Sequence, residues 1–163
     1  ILMSTKKVNP VDLAAIYNMV DCTVNISDAE GFGLATLESL SCGTPIIVTM
    51  TGGLQEQITN GTDWFGFPVF PSSKAIIGSQ EVPYIYEDRI NKDQFVSALT
   101  KMFVLTNEER LSLGLQGRQH VEKNYNFTNF KSQWLNLMLE VHEKNQSWKD
   151  RINYSGIYFA EVA

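Results

Sequence analysis

The sequence predicts an α/β fold, a Rossmann-like parallel sheet flanked by helices, and three observations carry that prediction. Two short runs, Cys22-Thr23-Val24-Asn25-Ile26 and Pro45-Ile46-Ile47-Val48-Thr49, read as strands, the second nearly all apolar as buried parallel strands are. Between them lies a helical stretch, residues 33–42, stopped by Gly43 as a left-handed cap. Strand, helix and strand at this spacing form a βαβ unit, whose crossover is right-handed. Each strand is followed by a glycine turn, Gly31-Phe32-Gly33 and Gly52-Gly53. In open α/β sheets ligands sit at that edge.

The remaining elements follow in chain order. Ile1-Leu2-Met3 reads as the end of a strand and residues 4–8 as a polar loop, in which Lys6 and Lys7 are solvated charges. Asn9 and Pro10 are an N-cap and a first-turn proline. The helix they open runs to about Met19, with Leu13, Ile16, Tyr17 and Val20 on one face. Asp21 closes it. After Gly53 a short helix ends at Asn60-Gly61, a turn signal. Residues 62–89 carry Trp64, Phe65, Phe67, Phe70, Tyr84 and Tyr86 among three prolines. They read as an insertion with its own aromatic cluster packed on the sheet edge, with an acceptor-side lid or partner surface as the other reading. Asn91 with Gln94, and Thr106 with Glu109, are capping boxes opening two helices, the second running to about Tyr125. In the first of these, Phe95, Leu99, Met102 and Phe103 form an apolar stripe. Phe127 staples a last helix with a stripe of Phe130, Trp134, Leu137, Met138 and Val141, read as core-facing rather than as a membrane-surface face. His120 and His142 read as surface residues. Ile157-Tyr158-Phe159 is either a short strand or a disordered end.

At 163 residues the chain suffices for one domain with a sizeable core. A hydrophobic share of 44% against 19% charged is that of an ordinary soluble globular protein. No apolar run approaches the ~20 residues of a membrane span. No signal peptide is visible, although the chain starts at Ile1 and an upstream segment stays open. The formal charge of −5 argues against non-specific nucleic-acid binding but not against a phosphate held by backbone amides. Cys22 and Cys42 lack metal-ligand spacing and read as small buried thiols of a reducing cytoplasm.

The chemistry concentrates in Glu30-Gly31-Phe32-Gly33-Leu34-Ala35-Thr36-Leu37-Glu38. A glycine turn leading into a helix N-terminus is an anion site, because the first amides lack intrahelical partners and the dipole adds positive potential. Glu30 stands at its mouth. Glu38 lies roughly 7–8 Å along the helix axis from Gly33 at 1.5 Å per residue. A ligand with a central diphosphate and a hydroxyl-bearing ring at each end, such as a nucleotide-sugar, fits that layout. The plainer readings are a dipole-stabilising Glu30 and a solvated Glu38. A dinucleotide fingerprint is rejected, since Thr36 stands where it needs Gly or Ala.

Taken together, Asp12-Leu13-Ala14-Ala15-Ile16-Tyr17-Asn18, Asp21, the paired-Glu segment, Cys42-Gly43-Thr44-Pro45 and Gly52-Gly53-Leu54 with Glu56 resemble the donor-binding half of retaining GT-B glycosyltransferases of the family-four type. The resemblance spans about residues 1–147, with a gap in the sixties to eighties. It implies the C-terminal domain of a GT-B fold, with the N-terminal part missing. Residues 1–126 would be a partial Rossmann-like nucleotide-sugar-binding domain. Residues 127–145 would be a C-terminal helix crossing toward the absent N-terminal domain, and 146–163 a tail. It implies that Glu30 contacts the donor sugar, that Gly31, Phe32, Gly33 and Leu34 hold sugar and diphosphate, and that Glu38 binds the ribose. Val8 would pack on the base, and Gly52, Gly53 and Glu56 would support the turn. The implied reaction moves a sugar from a nucleoside diphosphate to an acceptor hydroxyl of a glycan, lipid or protein, with retention. Neither cofactor nor metal is expected. The location implied is cytoplasmic, with peripheral membrane attachment through the missing domain left open. A non-catalytic nucleotide-sugar-binding module, half of a split enzyme, is the alternative.

Overall fold

The computed structural model describes residues 5–146. The strand end expected at Ile1-Leu2-Met3, the tail beyond residue 146 and Ile157-Tyr158-Phe159 lie outside them. The chain divides into two compact units, one ending at Asn124 and the other beginning at Tyr125.

The first unit opens with α1 (Pro10–Met19), where the Asn9 side chain accepts the Asp12 N–H at 2.9 Å. Next come β1 (Thr23–Asn25), α2 (Leu34–Ser41), β2 (Ile46–Thr49), α3 (Leu54–Ile58) and β3 (Gly66–Val69). The strands form one parallel sheet in the order β1-β2-β3, with Thr23 beside Ile46 and Ile46 beside Gly66. β1 is shorter than the run from Cys22 to Ile26 suggests. The Asn25 side chain turns back to accept the Ser27 N–H and hydroxyl, at 3.1 and 2.7 Å, which ends the strand in an Asx turn. Every residue of β2 is buried. Successive strand side chains point to opposite faces, so both faces of the sheet are covered.

α2 stops as its sequence requires. Gly43 adopts φ 78°, its N–H reaches the Leu40 carbonyl at 2.9 Å, and the Thr44 N–H reaches the Ser39 carbonyl at 3.0 Å. This is a Schellman cap. α5 (Asn107–Asn124) packs on α2 through Gly114 and Gly117. A Cβ at Gly114 would lie 1.8 Å from the Gly43 carbonyl oxygen, so the two backbones touch there. The α5 capping box forms in both directions, Thr106 N–H to Glu109 at 2.7 Å and Glu109 N–H to Thr106 at 3.2 Å. These bonds hold the Glu109 carboxyl below its usual pKa.

α4 (Lys92–Val104) begins at Asn91, whose side chain accepts the Asp93 N–H at 2.7 Å. Its buried face matches the expected stripe at Phe95 and Met102 but not at Leu99 and Phe103. Phe103 is 84% exposed, while Ala98 and Met102 are buried with Phe95 and Leu105 beside Ile47 and Val69. Ala98 carries little hydrophobic signal, yet it is small enough to let the helix sit against β3. Both cysteines are free and half-buried rather than buried.

The insertion reading for residues 62–89 needs correction. The stretch supplies β3 of the main sheet, then an antiparallel hairpin of β4 (Pro71–Ile77) and β5 (Ile85–Ile90). Its aromatic residues do not form one cluster. Phe65 is buried in the main core, whereas Trp64, Phe70, Tyr84 and Tyr86 are exposed. His120 is also no plain surface residue. Its ring lies 4.7 Å from that of Phe65, and Nε2 is 3.1 Å from the Glu56 carbonyl oxygen.

The second unit contains α6 (Phe127–Asn145), capped by the Asn126 side chain on the Asn129 N–H at 2.9 Å. Phe127 stacks on Phe130 and Phe130 meets Trp134 edge to face, with ring centroids 6.3 and 6.1 Å apart. No residue of α6 is buried, and within its own unit the stripe expected to face a core meets none among the described residues. No helix among the described residues is long and apolar enough to cross a membrane.

The Gly114 contact makes a prediction. Gly114→Ala in the full-length protein should cost about 1–3 kcal/mol through overpacking, despite alanine's better helix propensity. A lowered urea midpoint checks this, and an unchanged one would mean that α5 does not sit on the Gly43 loop.

Candidate functional site

The β1–β2 pairing brings the C-terminal ends of both strands to one edge of the sheet, and both glycine turns follow there. They lie directly against each other. The Gly53 N–H donates to the Gly31 carbonyl at 3.1 Å. A Cβ at Gly52, where φ is 49°, would fall 1.6 Å from the Glu30 carbonyl oxygen, and one at Gly53 would fall 2.7 Å from that of Phe32. Backbone meets backbone, which glycine permits at no steric cost.

Three carbonyls of the first turn are thereby engaged on the protein side. Gly31 accepts from Gly53, Phe32 from the Gln57 side-chain amide, and Gly33 from the Thr36 hydroxyl at 2.7 Å. No peptide bond is cis. In a trans peptide the C=O and the following N–H point in opposite directions. The N–H groups of Gly33 and Leu34 therefore point opposite to these engaged carbonyls at the start of α2, where Gly33 is buried and Leu34 exposed. Gly33 makes this possible with φ 84°, in the left-handed region. The helix dipole reinforces positive potential at that end.

The candidate side chains fall around this turn. Glu30 is half-buried, just ahead of it. Phe32 and Leu34 are 50% and 67% exposed, large apolar groups on either side of the buried Gly33. Glu38 is exposed one turn beyond Leu34, on the same side of α2. It is not left to solvent, because the Tyr17 hydroxyl donates to its Oε2 at 3.0 Å. A groove between α1 and α2 is lined by Pro10, Leu13, Tyr17, Glu38 and Cys42. Val8 is half-buried in the loop before α1 and is not part of that lining. Glu56 is exposed in the first turn of α3. The structure thus brings Glu30, the 31–34 turn, Gly52 and Gly53 together, sets Glu38 at the groove, and leaves Val8 and Glu56 outside its lining.

The β4–β5 hairpin reaches the same edge. The Asp88 N–H donates to the Asp28 carbonyl at 2.9 Å, and Arg89 pairs with the Asp28 carboxylate at 2.9 Å. The polar turn that presents Glu30 is strapped from behind.

The profile of the family described as "Glycosyl transferases group 1" matches residues 3–120. The chain belongs to that family. A D-inositol 3-phosphate glycosyltransferase of Arthrobacter sp. (strain FB24) is 43% identical over 54 residues, 33% of this chain and 13% of that protein. A protein of the same description from Mycobacterium marinum is 38% identical over 50 residues, 31% of this chain and 11% of its own length. Among solved structures, sucrose-phosphate synthase from Thermosynechococcus elongatus superposes with a TM-score of 0.59 at 23% identity. The match covers 82% of this chain and 28% of the synthase, and it supports the α/β Rossmann-like GT-B fold. The chain therefore corresponds to a minor part of the length of these relatives.

For this glycosyl transferases group 1 chain, sequence reasoning missed Tyr17, Thr36 and Gln57 as partners of the site. Tyr17 stood out as an apolar-face residue of α1 and as part of the Asp12–Asn18 run, not as a partner of Glu38. Gln57 follows Glu56 in a helix too short to show a periodic face, and its burial depends on contact with a turn 25 residues earlier.

Burial first, then the hydrogen bond and charge of Glu38, push the Tyr17 hydroxyl from 10.0 up to about 12. The neutral phenol is the donor to Glu38. Its contribution is complete below the ordinary tyrosine range and is lost as pH rises through about 12. A tyrosinate absorbance titration should show a component ionising near pH 12, and Tyr17→Phe should diminish that late component. Removal of an ordinary component near pH 10 instead would contradict the contact.

Proposed function

We propose that this chain is the donor-binding part of a retaining glycosyltransferase that moves a sugar from a nucleoside diphosphate to an acceptor hydroxyl. The observation that carries this reading is the Gly31-Phe32-Gly33-Leu34 turn at the start of α2, its carbonyls engaged by Gly53, Gln57 and Thr36, with Glu30 just before it and Glu38 one turn beyond Leu34. Amides aimed at one point suit the diphosphate, and a carboxylate accepts hydrogen bonds from vicinal hydroxyls.

In this reading the Gly33 and Leu34 N–H groups meet the diphosphate. Charge grows on that group as the glycosidic bond breaks, so donors already fixed in place favour the transition state over the ground state. Glu30 orients the donor sugar, and the strapped turn behind it limits its freedom. Glu38 receives the ribose hydroxyls, with the Tyr17 hydrogen bond holding its carboxylate on the groove side. Val8 packs on the base, and Gly52, Gly53 and Glu56 support the turn. No metal or other cofactor takes part. A further, N-terminal domain contributes the acceptor side, and the acceptor is a glycan, lipid or protein. The protein works in the cytoplasm.

In the full-length protein, Glu30→Ala should abolish sugar transfer while the circular dichroism spectrum and thermal transition stay native. Unchanged turnover would remove Glu30 from the mechanism. Glu38→Gln should weaken donor binding by roughly 10- to 100-fold, the range of a charge-assisted hydrogen bond. The same variant should bind a donor lacking ribose hydroxyls as the wild type does. Calorimetry against a panel of nucleoside diphosphate sugars measures both quantities.

A further inference from the structure

We propose that Gln57 is a positioning residue for the diphosphate, acting through the Phe32–Gly33 peptide and paired with Thr36. This rests on the donor-binding reading above and names residues that give the turn its working shape.

Gln57 lies in α3 and is fully buried, as is Thr36 in the first turn of α2. A buried amide side chain on a short surface-connected helix is costly unless its polar atoms are paired. Here they are. The Gln57 Nε2 group donates to the Phe32 carbonyl, and its Oε1 accepts from the Thr36 hydroxyl. The Phe32 carbonyl can only accept, so this orientation of the amide is the one that satisfies both ends. Thr36 has a second acceptor within reach, the Gly33 carbonyl at 2.7 Å. One hydroxyl proton is thus shared between the brace and the turn.

The consequence is directional. With the Phe32 carbonyl drawn toward Gln57, the N–H of the same peptide plane, that of Gly33, faces the opposite way. If the carbonyl lost its donor, a rotation of that plane would point oxygen rather than N–H at an incoming phosphate. Glycine on one side of the plane makes such a rotation easy. Space also ties Gly33 to the brace. A Cβ there would lie 2.5 Å from Leu54 Cδ2, 3.0 Å from Thr36 Oγ1 and 3.3 Å from Gln57 Oε1. The turn, Thr36 and Gln57 are packed as one unit, and the fully buried Gln57 acts through the turn.

The test compares two probes on the full-length protein by calorimetry: the nucleoside diphosphate that the wild type binds best, and its parent nucleoside. Gln57→Leu removes the donor to Phe32, and the Thr36→Val/Gln57→Leu double variant removes both polar partners so that neither is left buried alone. The double variant keeps the test decisive should the single one unfold. The diphosphate should bind roughly tenfold or more weakly to the variants, while the parent nucleoside, held at base and ribose, binds as to the wild type. Folded variants with unchanged diphosphate affinity would overturn the role of Gln57 and leave the donor-binding reading standing. An equal loss for both probes would also overturn it, since general loosening and not peptide orientation would be the cause. A wild type that binds no nucleoside diphosphate would overturn the donor-binding reading and this inference with it.

Discussion

The contact between two glycine turns, at residues 31–33 and 52–53, is what the site depends on. They approach so closely that a methyl group at Gly52 would stand 1.6 Å from the Glu30 carbonyl oxygen. The Gly31 carbonyl is bonded to Gly53, and those of Phe32 and Gly33 to Gln57 and Thr36, which fixes the peptide planes at the start of α2. The proposed amide site is in this way shaped by what holds the carbonyls behind it. It needs no lysine or arginine at the turn, and a net charge of −5 does not conflict with it.

The rest of the unit keeps that contact in register. Parallel pairing of β1 with β2 places both following turns at one sheet edge. The buried β2 residues fix the height of the second turn, and the glycine contact of α5 with the Gly43 loop fixes the far end of α2. At the near end, the hairpin holds Asp28 through Asp88 and Arg89. Arg89 and Asp28 are substantially exposed, so this ion pair adds orientation more than stability.

Local rules made much of the fold legible. Asn9-Pro10, the Thr106 and Glu109 pair, and Gly43 each act within four residues, and their caps form as written in the sequence. The alternation of strand, helix and strand around Glu30 and Glu38 was equally plain, because apolar runs bounded by glycines are local too. What could not be read depends on distant partners. Ala98 is buried on α4 while Phe103 is not, and only the position of β3 decides that. The aromatics of residues 62–89 separate because Phe65 enters the main core while the hairpin presents the others. The partners Tyr17 and Gln57 lie 21 and 25 residues from the groups they hold, beyond any periodicity or capping pattern.

The direction of the Gly33 and Leu34 N–H groups is most directly tested by backbone amide NMR of the full-length protein during titration with a nucleoside diphosphate. Saturable downfield shifts centred on Gly33 and Leu34, with smaller changes near Tyr17 and Glu38, are the expected result. Binding that leaves those two amides unmoved, and perturbs another surface instead, would contradict a diphosphate held at the start of α2.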